Sequence, residues 1–132
     1  MTKKEVITLD WDHYKKVTYS PAVKKGNLLF ISGQTGINYK TGKVVGLGDV
    51  VAQARQAYEN IREILEKSGA SFADVVKITD YIIPEALGNY KATAEVRREH
   101  LGNDFPASTG VVVNRLVRSE FMIEIDVVAV VD

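Results

Sequence analysis

Residues 121–131 constrain the fold more tightly than any other stretch. Phe121, Ile123, Ile125, Val127, Ala129 and Val131 fall on one face of a strand; Met122, Glu124, Asp126, Val128 and Val130 fall on the other. The first face is wholly apolar and needs a covering layer. The second starts with two carboxylates and ends in valines, so it is neither an ordinary solvated face nor an ordinary core face. The paired acids admit two readings, reactive carboxylates or solvated strand polarity, and the strand alone does not separate them.

The covering layer is supplied by helices. Val50, Val51, Ala54, Ala57, Tyr58, Ile61, Ile64 and Leu65 recur at helical spacing behind Asp49, a good N-cap, and Gly69 follows as the C′ residue. Gln53, Arg55, Glu59, Glu63 and Lys67 are assigned to the polar side. A second helix is expected over Leu87 to Leu101, with a poorer apolar face of Leu87, Tyr90, Ala94 and Leu101. Arg97 and Arg98 lie in its C-terminal half, where they complement the helix dipole, a reading preferred here to anion binding.

The remaining strands follow from shorter patterns. Val6, Ile7 and Leu9 form a first strand anchored by Trp11, and Val17 to Val23 a second, interrupted by Pro21. Lys24-Lys25-Gly26-Asn27 is a turn. Leu28 to Ile31 is a buried strand ending at Ser32-Gly33-Gln34-Thr35-Gly36, which reads as a bend or as a ligand-facing rim. Val75 to Ile83 is stopped by Pro84 and carries Asp80 on the face of Val76, Ile78 and Ile82; that face is open to solvent, or the acid is paired. Thr109 to Val117 precedes a turn at Arg118-Ser119-Glu120 and the final strand. The order β-β-β, helix, β, helix, β-β predicts an α+β split βαβ sandwich, a mixed sheet with both helices on one face. The uncovered face predicts contact with further copies of the chain.

Totals exclude several classes. The 132 residues are expected to form a single domain, 1–132, with 17 basic and 17 acidic side chains and no cysteine. A zero net charge gives no support to nucleic acid as a partner, and no apolar run reaches membrane-spanning length. Without cysteine there is no disulfide scaffold, thiolate metal site or cysteine nucleophile. The two histidines, His13 and His100, have no metal-site spacing, and His13, among acids in a polar stretch, reads as a surface residue. No secretion signal is evident at the N-terminus, so a cytoplasmic location is expected. The glycine pairs Gly33/Gly36 and Gly46/Gly48 match neither a phosphate loop nor a dinucleotide fingerprint.

Phe105-Pro106-Ala107-Ser108-Thr109-Gly110 feeds hydroxyls and a glycine into a strand after a proline bend. It reads equally as the floor of a binding site or as a plain loop-to-strand junction. Taken with Tyr19-Ser20-Pro21-Ala22, Gly26 to Gln34, Gln53-Ala54 and Ile123-Glu124-Ile125, it places the chain from about residue 17 onward in resemblance to the RidA/YjgF family. That resemblance implies a chorismate-mutase-like fold, a homotrimer, and a small-molecule cleft between subunits. It also implies hydrolysis of reactive enamines and imines without metal or organic cofactor. By the same resemblance Glu124 holds the hydrolytic water and Tyr19, Ser32 and Gly33 line the cleft; Ser108, Thr109 and Gly110, on the possible binding floor, are further candidate ligand-binding residues.

The chain departs from the family at Ser108, where archetypal deaminases carry an arginine that clamps the substrate carboxylate. A hydroxyl has neither the charge nor the fork of donors. The family's helix-two asparagine is also missing, with Ala94 near its place. Arg115, within the expected strand, and Arg118, at its turn, are not expected to supply the anchor. The preferred reading is a RidA-like deaminase of a non-archetypal subgroup. The alternative is a trimeric small-molecule-binding or interaction protein without catalysis. An endoribonuclease or translation-inhibitor activity ranks last, since the sequence shows no paired histidines, stacking platform or positive charge excess.

Overall fold

The structure, a computed structural model, describes residues 2–132, so Met1 of the expected domain lies outside it. In chain order the elements are β1 (Glu5–Ile7), β2 (Ala22–Lys25), β3 (Leu28–Gln34), β4 (Ile37–Asn38), β5 (Lys43–Val44), α1 (Val50–Lys67), β6 (Val75–Ile82), α2 (Thr93–Leu101), β7 (Ala107–Val112) and β8 (Ile123–Val130). One six-stranded sheet runs β1-β2-β3-β8-β6-β7, and β4-β5 is a separate hairpin. Only β6 and β7 pair in parallel within the large sheet, the other neighbours being antiparallel. This is the expected mixed sheet with two helices, of α+β class.

The final strand behaves as its alternation requires. Ile123, Ile125, Val127 and Ala129 are buried beneath the helices, while Glu124, Asp126, Val128 and Val130 face the open side half-covered. Asp49 accepts hydrogen bonds from the Val51 and Ala52 amides, both at 3.1 Å, a cap worth about 1 kcal/mol. The apolar stripe of α1 lies buried over β3 and β8. Pairing on the open side groups Val6, Val23, Leu28, Phe30, Val128 and Val130 into one apolar patch, in which Phe30 keeps 48% of its surface exposed.

Several expectations need correction. The second strand begins only after Pro21, because proline has no N–H for the ladder; its carbonyl instead accepts from the Ser32 amide at 2.9 Å. β3 does not stop at Ile31 but shifts register and continues to Gln34, which pairs with Ile125. β7 ends at Val112 rather than Val117, since its one partner strand, β6, ends beside it at Ile82. The second helix is α-helical only over Thr93–Leu101 and is preceded by a 3-10 segment, Pro84–Ala92. Gly88 and Asn89 are poor helix formers, and within that segment only Ala86 is buried, so nothing rewards a full α-turn there. Leu87, expected in the core, is exposed.

Two polar residues also sit differently. A register shift between Val75 and Lys77 sends Val76 to the surface, leaving Asp80 among Ile78 and Ile82 on the helix side. Asp80 is paired: its Oδ2 accepts from Arg97 at 2.5 Å and from the Tyr90 hydroxyl at 2.7 Å. Arg97 is therefore a core partner rather than a dipole complement, whereas Arg98 pairs on the surface with Glu95. Gln53, assigned to the polar side of α1, is 0% exposed.

Candidate functional site

The site is built on the open side of β8. Glu124 stands next to Tyr81 of β6 in the ladder and faces Gly33 across β3. A Cβ on Gly33 would lie 2.5 Å from the Glu124 Oε2, so the missing side chain is what makes room for the carboxylate. Burial raises the Glu124 pKa above the ordinary glutamate value, and the neighbouring Asp126 charge raises it further. Asp126 is itself raised by burial.

A hollow of about 120 Å³ opens over this carboxylate. Its walls are largely aromatic, with Tyr14, Tyr19, Tyr39 and Phe121 joined by His13, and Arg118 closes one side. The aromatic rings come from separated stretches: Tyr39 stacks on the buried Trp11 at 4.4 Å, and Tyr14 meets Tyr19 edge-on at 5.8 Å. The Tyr19 hydroxyl and His13 Nε2 share a hydrogen bond of 3.1 Å. Burial pushes the Tyr14 and Tyr39 phenols above their ordinary value, Tyr39 the further, so both stay protonated at neutral pH. Outside this hollow lies a wider vestibule of about 350 Å³, which shares His13, Tyr39 and Arg118 and adds Lys16 and Lys40.

Buried amides fix the frame. Gln53 donates to the Gly46 and Glu120 carbonyls at 3.1 and 2.9 Å and accepts from the Met122 amide at 2.8 Å. It thereby ties α1 to the loop that delivers Arg118, Phe121 and Glu124. Asn60 donates to the carbonyls of Thr35 and Ile37 at 3.3 and 2.8 Å and holds the opposite wall. Gln34 Nε2 donates to the Tyr14 hydroxyl at 2.9 Å.

Of the residues expected at the site, Tyr19, Gly33 and Glu124 line one hollow. Ser32 is not among the residues that line it, and its hydroxyl donates to the Ser20 carbonyl at 2.5 Å. Ser108, Thr109 and Gly110 lie on β7, the edge strand, two strands from β8. Ladder spacing puts that edge on the order of 10 Å from β8. Thr109 shares the open face with Glu124 and accepts from Lys77 Nζ at 2.7 Å, whereas Ser108 and Gly110 are turned to the helix side, Gly110 beneath the Tyr90 ring. Within one chain the two halves of the expected site are therefore separate.

His13, Tyr39 and Arg118 were not expected there. Nothing in local spacing marks them, because three irregular segments bring them together. The sequence shows no stacking platform for the same reason. No group of metal-binding side chains occurs among the described residues, and no helix there is long and apolar enough to cross a membrane.

The chain is thus an α+β domain with a small aromatic, carboxylate-bearing hollow on the open face of its sheet. Residues 13–131 match the family model described as Endoribonuclease L-PSP, and the chain belongs to this family, known also as RidA/YjgF. It is 43% identical over 111 residues to a RutC family protein of Pyrococcus horikoshii, covering 84% of this chain and 85% of that one. It is 37% identical over 113 residues to the 2-iminobutanoate/2-iminopropanoate deaminase of Escherichia coli, covering 85% and 86%. The crystal structure of Escherichia coli TdcF with bound serine superposes with a TM-score of 0.77 at 31% identity, covering 88% of this chain and 90% of that one.

Proposed function

We propose that the chain hydrolyses a small imine or enamine, with water activated by Glu124. The observation that carries this reading is the half-buried carboxylate with its pKa raised, facing a residue without a side chain in a hollow of small-metabolite size. A 2-imino acid and water give a 2-oxo acid and ammonia. Glu124 accepts a proton from water as its oxygen adds to the C=N carbon, and the imine nitrogen takes up a proton. The proton on the imine nitrogen comes from solvent, and the adduct is a hemiaminal. Glu124 then returns its proton to that nitrogen as the C–N bond breaks with its electron pair leaving on ammonia, and the hemiaminal hydroxyl releases its proton to solvent as the C=O of the 2-oxo acid forms. Burial suits both roles, since a raised pKa makes the carboxylate a better base and its acid form more populated. The relative named for 2-iminobutanoate and 2-iminopropanoate, and the neighbour holding serine, support a substrate of amino-acid size.

We further propose that the working unit is a homotrimer. The apolar patch of Val6, Leu28 and Phe30 on the open sheet face suits burial against another copy, and the outer edge of β7 has no strand partner among the described residues. A neighbouring copy would bring Thr109 and the backbone N–H groups near Gly110 to the hollow over Glu124, where they meet charge developing on the substrate.

Ser108 gives one specific reason for a second reading, a trimer that binds the metabolite and releases it unchanged. Ammonia release from imines generated in situ by an amino-acid oxidase separates the two. Turnover above the spontaneous rate is expected; its absence across a panel of imino acids, with binding retained, favours the second reading.

A further inference from the structure

We propose that Arg118 is the anion-binding residue of this site, holding the carboxylate of a 2-imino or 2-oxo acid whose reacting carbon lies toward Glu124. This rests on the deaminase reading for the reacting end of the ligand, but the anion-binding claim stands or falls separately.

Geometry carries the inference. Arg118 lines both the inner hollow and the outer vestibule, so it stands where the two meet. It is held there from two sides. Nε and Nη2 donate to the two Glu120 oxygens at 3.3 and 2.9 Å, and the guanidinium carbon lies 5.4 Å from the centre of the Phe121 ring. The loop beneath is fixed by Gln53, which grips the Glu120 carbonyl and the Met122 amide, and by the Phe121 amide donating to the Arg118 carbonyl at 3.1 Å. Nη1 makes no hydrogen bond among the described residues, which leaves a donor for a ligand oxygen, with the far side of Nη2 beside it. An arginine positioned in this way loses little freedom when it binds an anion.

Glu120 offsets part of the Arg118 charge, and the other charges at the mouth point toward anion binding. Lys16 and Lys40 share the vestibule with Arg118, and Asp12, its acid, is paired with Lys15. The His13 pKa is lowered, by burial first and then by Arg118 and Lys16, which reports a positive potential at the mouth. Glu124 makes the inner end negative. A ligand carboxylate is repelled from Glu124 and attracted to Arg118, so a small imino acid enters in one orientation, with its C=N end inward. This explains how position 108 can lack a cation: the charge is supplied from the loop before β8 rather than from β7.

The test uses the full-length protein, with Arg118→Gln and Arg118→Lys compared with wild type for binding of 2-oxobutanoate and of its uncharged methyl ester by calorimetry. The proposal expects wild type to prefer the acid over the ester, Arg118→Gln to lose at least tenfold in affinity for the acid and little for the ester, and Arg118→Lys to recover part of the loss. In turnover, Arg118→Gln should raise KM for a 2-imino acid by a similar factor, with kcat changed less than threefold. Unchanged acid binding in Arg118→Gln, or equal binding of acid and ester by wild type, overturns it. Arg118-dependent acid binding without turnover by wild type would keep the anchor and reject the deaminase reading. Thermal melting of each variant identifies any loss due to unfolding, and Arg118→Lys then provides the second comparison.

Discussion

Asp80 and Glu124 sit on adjacent strands, one ladder position apart, and meet opposite fates. Asp80 pairs across to Ile125 and faces the helices; Glu124 pairs across to Tyr81 and faces the open side. Asp80 is almost completely buried, yet Arg97 and Tyr90 both donate to it, and its partner Tyr90 has its phenol pushed up to about 12, by burial first and then by the hydrogen bond to Asp80. Glu124 is only half-buried and receives no such donor among the described residues, so burial raises its pKa without compensation. The first acid is committed to holding α2 and the Pro84–Ala92 segment on the sheet. The second is left uncommitted, in a hollow, with a proton affinity suited to chemistry. Pairing, more than depth, separates the two carboxylates.

The comparison breaks most visibly at Asp80. Asp80→Ala leaves Arg97 without its carboxylate and should cost about 3 kcal/mol in denaturant-unfolding stability, with Arg97→Met in the same chain restoring part of it. No loss would mean that the pair is not what fixes the second helix. Gln53→Ala should come next, costing about 2 kcal/mol, because it strands the Met122 amide and the carbonyls of Gly46 and Glu120. It should also lower turnover by loosening the loop that carries Arg118; a stability loss without any change in turnover would show that the loop is fixed by other contacts.

Gly33→Ala sharpens the contrast from the other side. The added methyl must displace the Glu124 carboxyl, so turnover should fall about tenfold while stability changes by roughly 1 kcal/mol or less. An active variant with normal kinetics would place the reacting carboxylate elsewhere.

The smallest effect is one of pH. The Glu124 pKa is higher in the folded than in the unfolded chain, so the native state binds the proton more tightly and stability falls as pH rises from the ordinary glutamate value through the raised one. Glu124→Gln should remove that slope, by under about 1 kcal/mol, and be slightly more stable than wild type at neutral pH. A difference between wild type and Glu124→Gln whose slope has the opposite sign, read from unfolding midpoints between pH 4 and 8 (the window is set by ordinary carboxylate titration), would show that Glu124 has a partner.

Much of this was legible in the chain. The alternation at 121–131 placed Glu124 and Asp126 together on the half-covered face, and the Asp49 cap and α1 stripe set the layer above β8. Motif resemblance picked out Tyr19, Ser32, Gly33 and Glu124 as a group, and all but Ser32 line one hollow. What periodicity could not show were residues whose positions depend on irregular backbone. Gln53 has a polar side chain and therefore reads as surface, although it is buried because three backbone groups need it. His13, Tyr39 and Arg118 come from a 3-10 turn, a hairpin tip and a loop, none of which carries a repeating signal. Ser108 to Gly110 were grouped with the cleft between subunits, and only the sheet order shows that within one chain β6 separates their strand from β8.

Hydrolysis, as proposed, rests on an unpaired, half-buried glutamate, Glu124. The most direct measurement is the rate of ammonia release from a 2-imino acid by wild type and Glu124→Gln. The account predicts that the glutamine variant loses on the order of 10² or more of the rate over background while folding and binding 2-oxobutanoate normally. It also predicts that the wild-type rate falls, as the solution is acidified, at a pH above the ordinary glutamate value. A folded glutamine variant with wild-type turnover would contradict it.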